Sequence, residues 1–181
     1  MSMNGLTTEK MSQALDWAYE KAIHGIPGDL SSESLAKSYM KKFSSTDEAI
    51  DSLIKWQMAK SSTSGFVTGL GGIITLPVAI PVNIASVLYV QMRMIAAIAH
   101  MRGYDLKDDQ VQTFVFICLT GQAASDILKQ SGITVGTKLT VQLIKKVPGT
   151  TLTKINQKVA FRLVTKFGEK GVINLGKLVP I

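Results

Sequence analysis

The sequence has few of the residues on which cross-links and many catalytic sites depend. It contains one cysteine, Cys118, and two histidines, His24 and His100. A single cysteine excludes a disulfide framework and a thiolate metal cluster, and it is typical of a reducing compartment. Two histidines exclude a three-histidine zinc site. We therefore expect neither a metal nor a cofactor. The opening segment "MSMNGLTTEK" lacks the apolar core of a secretory signal, so we expect a cytoplasmic protein.

Charge is missing from one long stretch of the chain. The 32 residues Ser61–Met92 contain no charged side chain. Pro77 and Pro81 disfavour one straight helix, because proline lacks an amide proton and its ring clashes with the preceding turn. Three interpretations remain open: a helical hairpin buried in protein, a segment inserted at a membrane interface, and a membrane span. The first half is short and rich in glycine, and the second half carries Arg93, which is costly in a bilayer. We favour the buried hairpin.

The apolar hairpin is expected to form the core or a lipid-facing groove. Its lining side chains are Phe66, Leu70, Ile73, Ile74, Leu76, Ile80, Ile84 and Leu88. Three polar exceptions, Ser86, Arg93 and His100, are seven residues apart and therefore form one stripe, which we expect to be buried because the helix around it is apolar. A buried Arg93 needs a carboxylate, and Asp51 or Asp126 is the expected partner.

Outside this stretch the apolar residues recur at helical spacing, and runs that alternate with polar residues are scarce. The sequence predicts an all-α single domain over residues 1–181, with about six to eight helices around the central hairpin. Thr7, Ser31 or Ser32, Ser45 and Asp105 are the expected helix caps. The predicted helices cover residues 8–23, 32–40, 46–60, 82–101, 106–130 and 151–167, with a further short helix in "TKLTVQLIKKV".

Acidic residues are nearly absent from the last third of the chain. Residues 127–181 carry ten basic side chains and one acid, Glu169, whereas the chain as a whole has a net charge of +7. A basic ladder, Lys154, Lys158, Arg162 and Lys166, repeats every four positions along the last long helix. It is either a solvated face or a surface for anions, to which Lys145 and Lys146 would add. Few aromatic or asparagine side chains accompany it, so we expect no sequence-specific nucleic-acid binding.

The residues with catalytic potential do not assemble into a site. Cys118 could be a nucleophile with His100 as its base, but its place in "FVFICL" favours an inert core thiol. Asp105, Asp108 and Asp109 lack the spacing of a calcium loop, and helix capping explains them. We therefore assign no catalytic residue and no metal ligand.

The order of these segments resembles the EcsC family of bacterial proteins. The resemblance rests on "AYEKAIHGIPG", on "AIDSLIKWQMAKSSTSGFVTGLGGIITLPVAIPVNIASVLYVQMRMIAAIAH", on "GYDLKDDQVQTFVFICLTG" and on "KINQKVAFRLVTKFGEKGVINLGKLVPI". The family is named after a gene that lies beside those of an ABC transporter, and the resemblance implies no catalytic set or cofactor. Members similar to this chain usually continue beyond "GKLVPI" into a glycine-rich apolar stretch, so ending at Ile181 implies a truncated chain or a short natural form.

These observations lead to three functional expectations. The first is a non-enzymatic helical protein that is peripheral at the inner face of the plasma membrane and binds anionic lipid surfaces or lipid-like apolar ligands. The second is an interaction module that docks to a membrane partner such as an ABC transporter subunit. The third is an enzyme acting on a lipid-like substrate, which a pocket joining Arg93, His100 and an acid would favour.

Overall fold

The computed structural model describes residues 6–61, 80–133 and 141–170, and within these ranges every regular element is helical. This confirms the all-α class and the bundle architecture. The α-helices are α1 Thr8–His24, α2 Ser32–Met40, α3 Thr46–Ser61, α4 Val82–Met101, α5 Asp109–Cys118, α6 Ala124–Gln130, α7 Val141–Lys145 and α8 Gly149–Lys170, with a short 3₁₀ helix at Gly121–Ala123.

The first three helices begin at hydroxyl caps, as the sequence predicts. The side-chain oxygens of Thr7, Ser31 and Ser45 each accept a hydrogen bond from the amide three residues further along. These bonds satisfy amides that have no partner within the helix. At α3 only one half of the expected capping box is observed, because the Glu48 carboxylate accepts a hydrogen bond from Ser44 Oγ at 3.0 Å.

Helix α4 is the centre of the bundle, in contact with α1, α2, α3 and α5. It is long and apolar enough to cross a membrane, but 78% of its most apolar window is buried inside the protein. Ile84 and Leu88 are among its buried residues, and Ile80, just before its start, is buried as well. An all-round apolar helix is expected in such a position. The other predicted hairpin residues, Phe66, Leu70, Ile73, Ile74 and Leu76, lie outside the described residues.

The helix predicted over residues 106–130 is divided in the structure, and its predicted cap is wrong. Asp105 stabilises a turn, in which its carboxylate accepts the Lys107 amide at 3.0 Å, and α5 begins only at Asp109. The helix then stops because Thr120 Oγ1 donates to the Ile117 carbonyl at 2.6 Å and Gly121 adopts a φ of 62°. A hydroxyl that donates a hydrogen bond to a backbone carbonyl competes with the backbone amide that would bond to it in a helix.

The last helix, α8, packs one side against α1, α5 and α6. Its buried residues include the predicted apolar ribbon of Ile155, Val159, Leu163 and Phe167, each at most 4% exposed. The opposite side of α8 faces solvent and carries the first members of the basic ladder. Packing of the ribbon therefore fixes which side chains α8 presents outward.

Candidate functional site

The outward face of α8 combines cations with an exposed aromatic ring. Lys154 and Arg162 are exposed and Lys158 is half-buried. Among them lies Phe161, with 65% of its surface exposed, the largest exposed fraction among the large apolar residues that the structure describes. A phenylalanine that is so exposed contributes little to the packing of the bundle.

Helical geometry turns the basic ladder gradually around α8. A step of four residues overshoots one turn of 3.6 residues by about 40°. Successive members therefore rotate around the helix from the solvent side, at Lys154, toward the buried side, at Lys166. Lys154 and Lys158 lie closest to the direction of Phe161, and Arg162 lies further round. Lys166 is half-buried and interacts with another group of the protein.

Helix α7, which comes just before α8 in the chain, extends this surface beyond the start of α8. Lys145 and Lys146 are exposed, and the neighbouring Leu143 is 49% exposed. Val147 and Pro148 are the only residues between Lys146 and the start of α8. We call Leu143, Lys145, Lys146, Lys154, Lys158, Phe161 and Arg162 the basic surface.

Carboxylates do not neutralise the cations of the basic surface within the described ranges. The ion pairs found there are Glu33–Lys37, Asp29–Arg93 and Asp47–Arg102. None of them includes a residue of the basic surface, and the first turn of α8 has no acidic residue. The surface therefore presents a positive potential to any anion that approaches it.

A second polar feature, separate from the basic surface, is the buried guanidinium of Arg93 at the middle of α4. Its side chain is 2% exposed and forms an ion pair with Asp29, in the loop between α1 and α2. It also donates to the Leu30 carbonyl at 3.1 Å and to Gln57 Oε1 at 3.2 Å. The prediction of a buried arginine with a carboxylate partner is therefore right, but the expected partners are wrong: Asp51 and Asp126 are both exposed.

Further groups tie this ion pair to the surrounding helices. Tyr89 Oη donates to Asp29 Oδ2 at 3.2 Å, and the Arg93 guanidinium lies 5.8 Å from the Tyr89 ring centroid. Burial raises the pKa of Tyr89 above its ordinary value. The Ser32 hydroxyl lies 2.9 Å from the Ala22 carbonyl and 3.3 Å from that of Arg93. The cluster therefore connects α1, α2, α3 and α4, as a structural network does, although Arg93 Nε and Gln57 Nε2 have no hydrogen-bond partner among the described residues.

The predicted polar stripe is only partly buried. Ser86 and Arg93 are each 1% exposed, and Ser86 Oγ donates to the Val82 carbonyl at 2.8 Å. His100, in the last turn of α4, is only half-buried. It lines an open cavity of about 410 Å³ whose other residues are Ile23, Glu33, Gly103, Tyr104, Asp105, Leu106 and Lys107.

The His100 cavity does not have the features of an acid–base site. Its lining does not include Arg93, so the pocket that would favour an enzyme is not formed there. A hydrogen bond from Lys37 lowers the pKa of Glu33, which stabilises the ordinary ionised carboxylate. General acid–base catalysis near neutral pH requires the opposite shift in a carboxylic acid. No cluster of three or more metal-ligating side chains occurs among the described residues.

Cys118 lies at the end of α5 and is exposed, which differs from the predicted core position. The packing around its sulfur nevertheless limits hydration and raises the pKa of the thiol. A raised pKa disfavours the thiolate, which is the nucleophilic form. Within the described residues, the surroundings of Cys118 therefore disfavour its action as a nucleophile.

Two functional observations were missed at the level of sequence. Phe161 could have been recognised, because its position on a helical wheel falls among Lys154 and Lys158 rather than in the apolar ribbon. Asp29 carried no such signal, because it lies in the irregular "GIPGD" segment, and its distance from Arg93 depends on how α2 returns across α4.

The arrangement described above defines a helical-bundle protein built around one apolar central helix, with a basic outer surface. The chain matches the model of the EcsC protein family over residues 1–166 and belongs to that family. The match begins before Ala18, where the resemblance seen in the sequence starts, and ends at Lys166, the last residue of the basic ladder. No curated protein and no solved structure matches the chain.

Proposed function

We propose that this protein is a non-enzymatic, peripheral membrane protein of the cytoplasmic side, which binds anionic lipid surfaces through its basic surface. The observation that carries the proposal is the exposure of Phe161 among cations that no described carboxylate neutralises. Aromatic side chains favour the headgroup region of membranes, and lysine and arginine favour anionic leaflets.

The number of cations sets the expected strength of binding. Each lysine or arginine close to an anionic surface contributes about 1 kcal/mol. Lys145, Lys146, Lys154, Lys158 and Arg162 would together contribute about 5 kcal/mol, to which partial insertion of Phe161 adds an apolar term. A dissociation constant of about 1 mM corresponds to about 4 kcal/mol, so binding is expected to be weak, reversible and sensitive to salt.

Co-sedimentation with vesicles tests this proposal. The wild-type chain should pellet with phosphatidylglycerol vesicles at low salt, and it should be released at high salt and with phosphatidylcholine vesicles. The variant Lys154→Gln/Lys158→Gln/Arg162→Gln should bind roughly a hundredfold more weakly, because three contributions of about 1 kcal/mol are lost.

A matched control removes the same charge from elsewhere on the protein surface. Lys41, Lys55 and Lys129 are exposed and lie outside the basic surface, so their triple replacement by glutamine should lower binding much less. Equal losses in the two variants would show a response to net charge alone and would contradict a defined surface. Equal pelleting with neutral and anionic vesicles would contradict the electrostatic attraction itself. Binding to a membrane protein in detergent, without affinity for lipid, would favour the interaction module.

A further inference from the structure

A cavity of about 310 Å³ adjoins the basic surface where the end of α6, helix α7 and the first turn of α8 meet. This volume is at the lower end of the range for small-molecule sites, about 300–1,000 Å³. Apolar side chains form most of its wall: Phe114, Ile133, Leu143, Ile144 and Val147. A cavity of this kind favours an apolar ligand.

Polar groups of the cavity are concentrated in a few residues. Ser131 is satisfied internally, because its hydroxyl donates to the Ile127 carbonyl at 2.8 Å. Lys146 is exposed and contributes a cation to the lining. Thr151 belongs to the first turn of α8, a turn without acidic residues. The cavity thus has an apolar wall and a positive charge, which complement an apolar chain with an anionic end.

The cavity is continuous with the basic surface, because Leu143 and Lys146 belong to both. An anionic lipid held at that surface would place its phosphate beside Lys146 and its acyl chain against the apolar wall. We propose that the cavity takes the acyl chain of an anionic membrane lipid, whose phosphate pairs with Lys146. This inference rests on the proposed function and deepens it, because it adds one saturable lipid site to a diffuse surface attraction.

Alkyl phosphates below their micelle concentrations are suitable soluble probes of this site. Titration calorimetry of the full chain with hexyl, octyl and decyl phosphate should show one saturable site. The affinity should rise about fourfold for each added methylene that is buried. Inorganic phosphate should bind far more weakly than decyl phosphate. Lack of saturation, independence of chain length, or equal affinity for inorganic phosphate would each overturn the inference.

Variants locate the site within the fold. Thr151→Trp should fill the cavity and lower the affinity for decyl phosphate more than tenfold, and Lys146→Gln should lower it severalfold. Lys41→Gln, at an exposed position outside both the cavity lining and the basic surface, should change it less than twofold. If Thr151→Trp fails to fold, Leu143→Glu decides the matter, because Leu143 is 49% exposed and tolerates a charge that repels the phosphate. Wild-type affinity in a folded Thr151→Trp or Leu143→Glu variant would overturn the assignment.

The two proposals fail in different ways. Pelleting with phosphatidylglycerol vesicles without binding of decyl phosphate would overturn the cavity site and leave the surface proposal intact. Saturable binding of decyl phosphate without vesicle binding would overturn the membrane as the source of the ligand, and with it both proposals. We expect the wild-type chain to bind both phosphatidylglycerol vesicles and decyl phosphate. The Thr151→Trp variant should lose affinity for decyl phosphate and keep its affinity for the vesicles.

Discussion

Removing either partner of the Asp29–Arg93 ion pair should destabilise the protein, but by unequal amounts. The Arg93 side chain is 2% exposed, whereas 23% of the Asp29 side chain remains in contact with water. Breaking a buried pair typically costs about 3–5 kcal/mol, because the remaining charge has no compensation. Asp29→Ala leaves the more deeply buried charge and should cost close to that full amount.

Arg93→Met leaves a carboxylate that can be partly hydrated, and the methionine fills much of the vacated volume. The change also removes the donors to Gln57 Oε1 and to the Leu30 carbonyl. An unsatisfied buried acceptor costs about 1–3 kcal/mol. We therefore expect a loss of about 2–4 kcal/mol, smaller than that of Asp29→Ala. The loss of unfolding free energy in the double variant should be smaller than the sum of the losses in the two single variants. Once one partner has been removed, replacing the other removes a charge that is already unpaired.

Urea unfolding followed by circular dichroism measures these differences as shifts of the free energy of unfolding. Arg102→Met is the matched control, since Arg102 pairs with Asp47 at 2.8 Å while their side chains are 50% and 78% exposed. Exposed pairs contribute about 0–1 kcal/mol, so the control should hardly shift the transition. Equal effects of Arg93→Met and Arg102→Met, or strict additivity in the double variant, would refute the reasoning.

Three further predictions concern the helices around this ion pair. Gly25→Ala should lower the free energy of unfolding by more than about 1 kcal/mol, because Gly25 has a φ of 82° and an added Cβ would lie 3.3 Å from the Asp29 carbonyl oxygen; thermal melts would show this. Ser32→Ala should cost about 1–2 kcal/mol in urea unfolding, because Ser32 is fully buried and its hydroxyl is lost from the interface of α1 and α4. Burial raises the pKa of Tyr19 and Tyr89, so their stabilising effect is complete below the unfolded value, about pH 10, and is lost above it. Unfolding experiments between pH 8 and 11, combined with phenolate absorbance, should show falling stability and delayed ionisation; ordinary titration of all tyrosines in the folded protein would contradict this.

Local signals in the sequence were sufficient for most helix boundaries. Thr7, Ser31 and Ser45 cap their helices, and α4 begins after Pro81 and ends before Gly103, because cap and stop chemistry acts within one turn. The break between α5 and α6 was missed. The spacing of apolar residues predicts a continuous helix there, but the Thr120 hydroxyl donates to the Ile117 carbonyl and competes with the helical backbone hydrogen bonds.

Long-range partners were not accessible in the same way. Asp29 and Arg93 are 64 residues apart, and their contact depends on the return path of α2 rather than on any spacing in the sequence. Carboxylates at Asp51 and Asp126 were equally reasonable partners by composition. The basic ladder was found because four-residue spacing is visible in one dimension, whereas the cavity beside α7 depends on how three separate segments meet.

The two sides of α8 limit how deeply the protein can enter a bilayer. Its apolar residues already pack against α1 and α5. The helix therefore cannot turn this apolar side toward the hydrocarbon unless the bundle unfolds. Within the described part of the basic surface, Phe161, Leu143 and the lysine stems are the groups that could reach the glycerol level. Attachment through α8, as proposed above, would therefore be shallow, with the helix axis parallel to the leaflet.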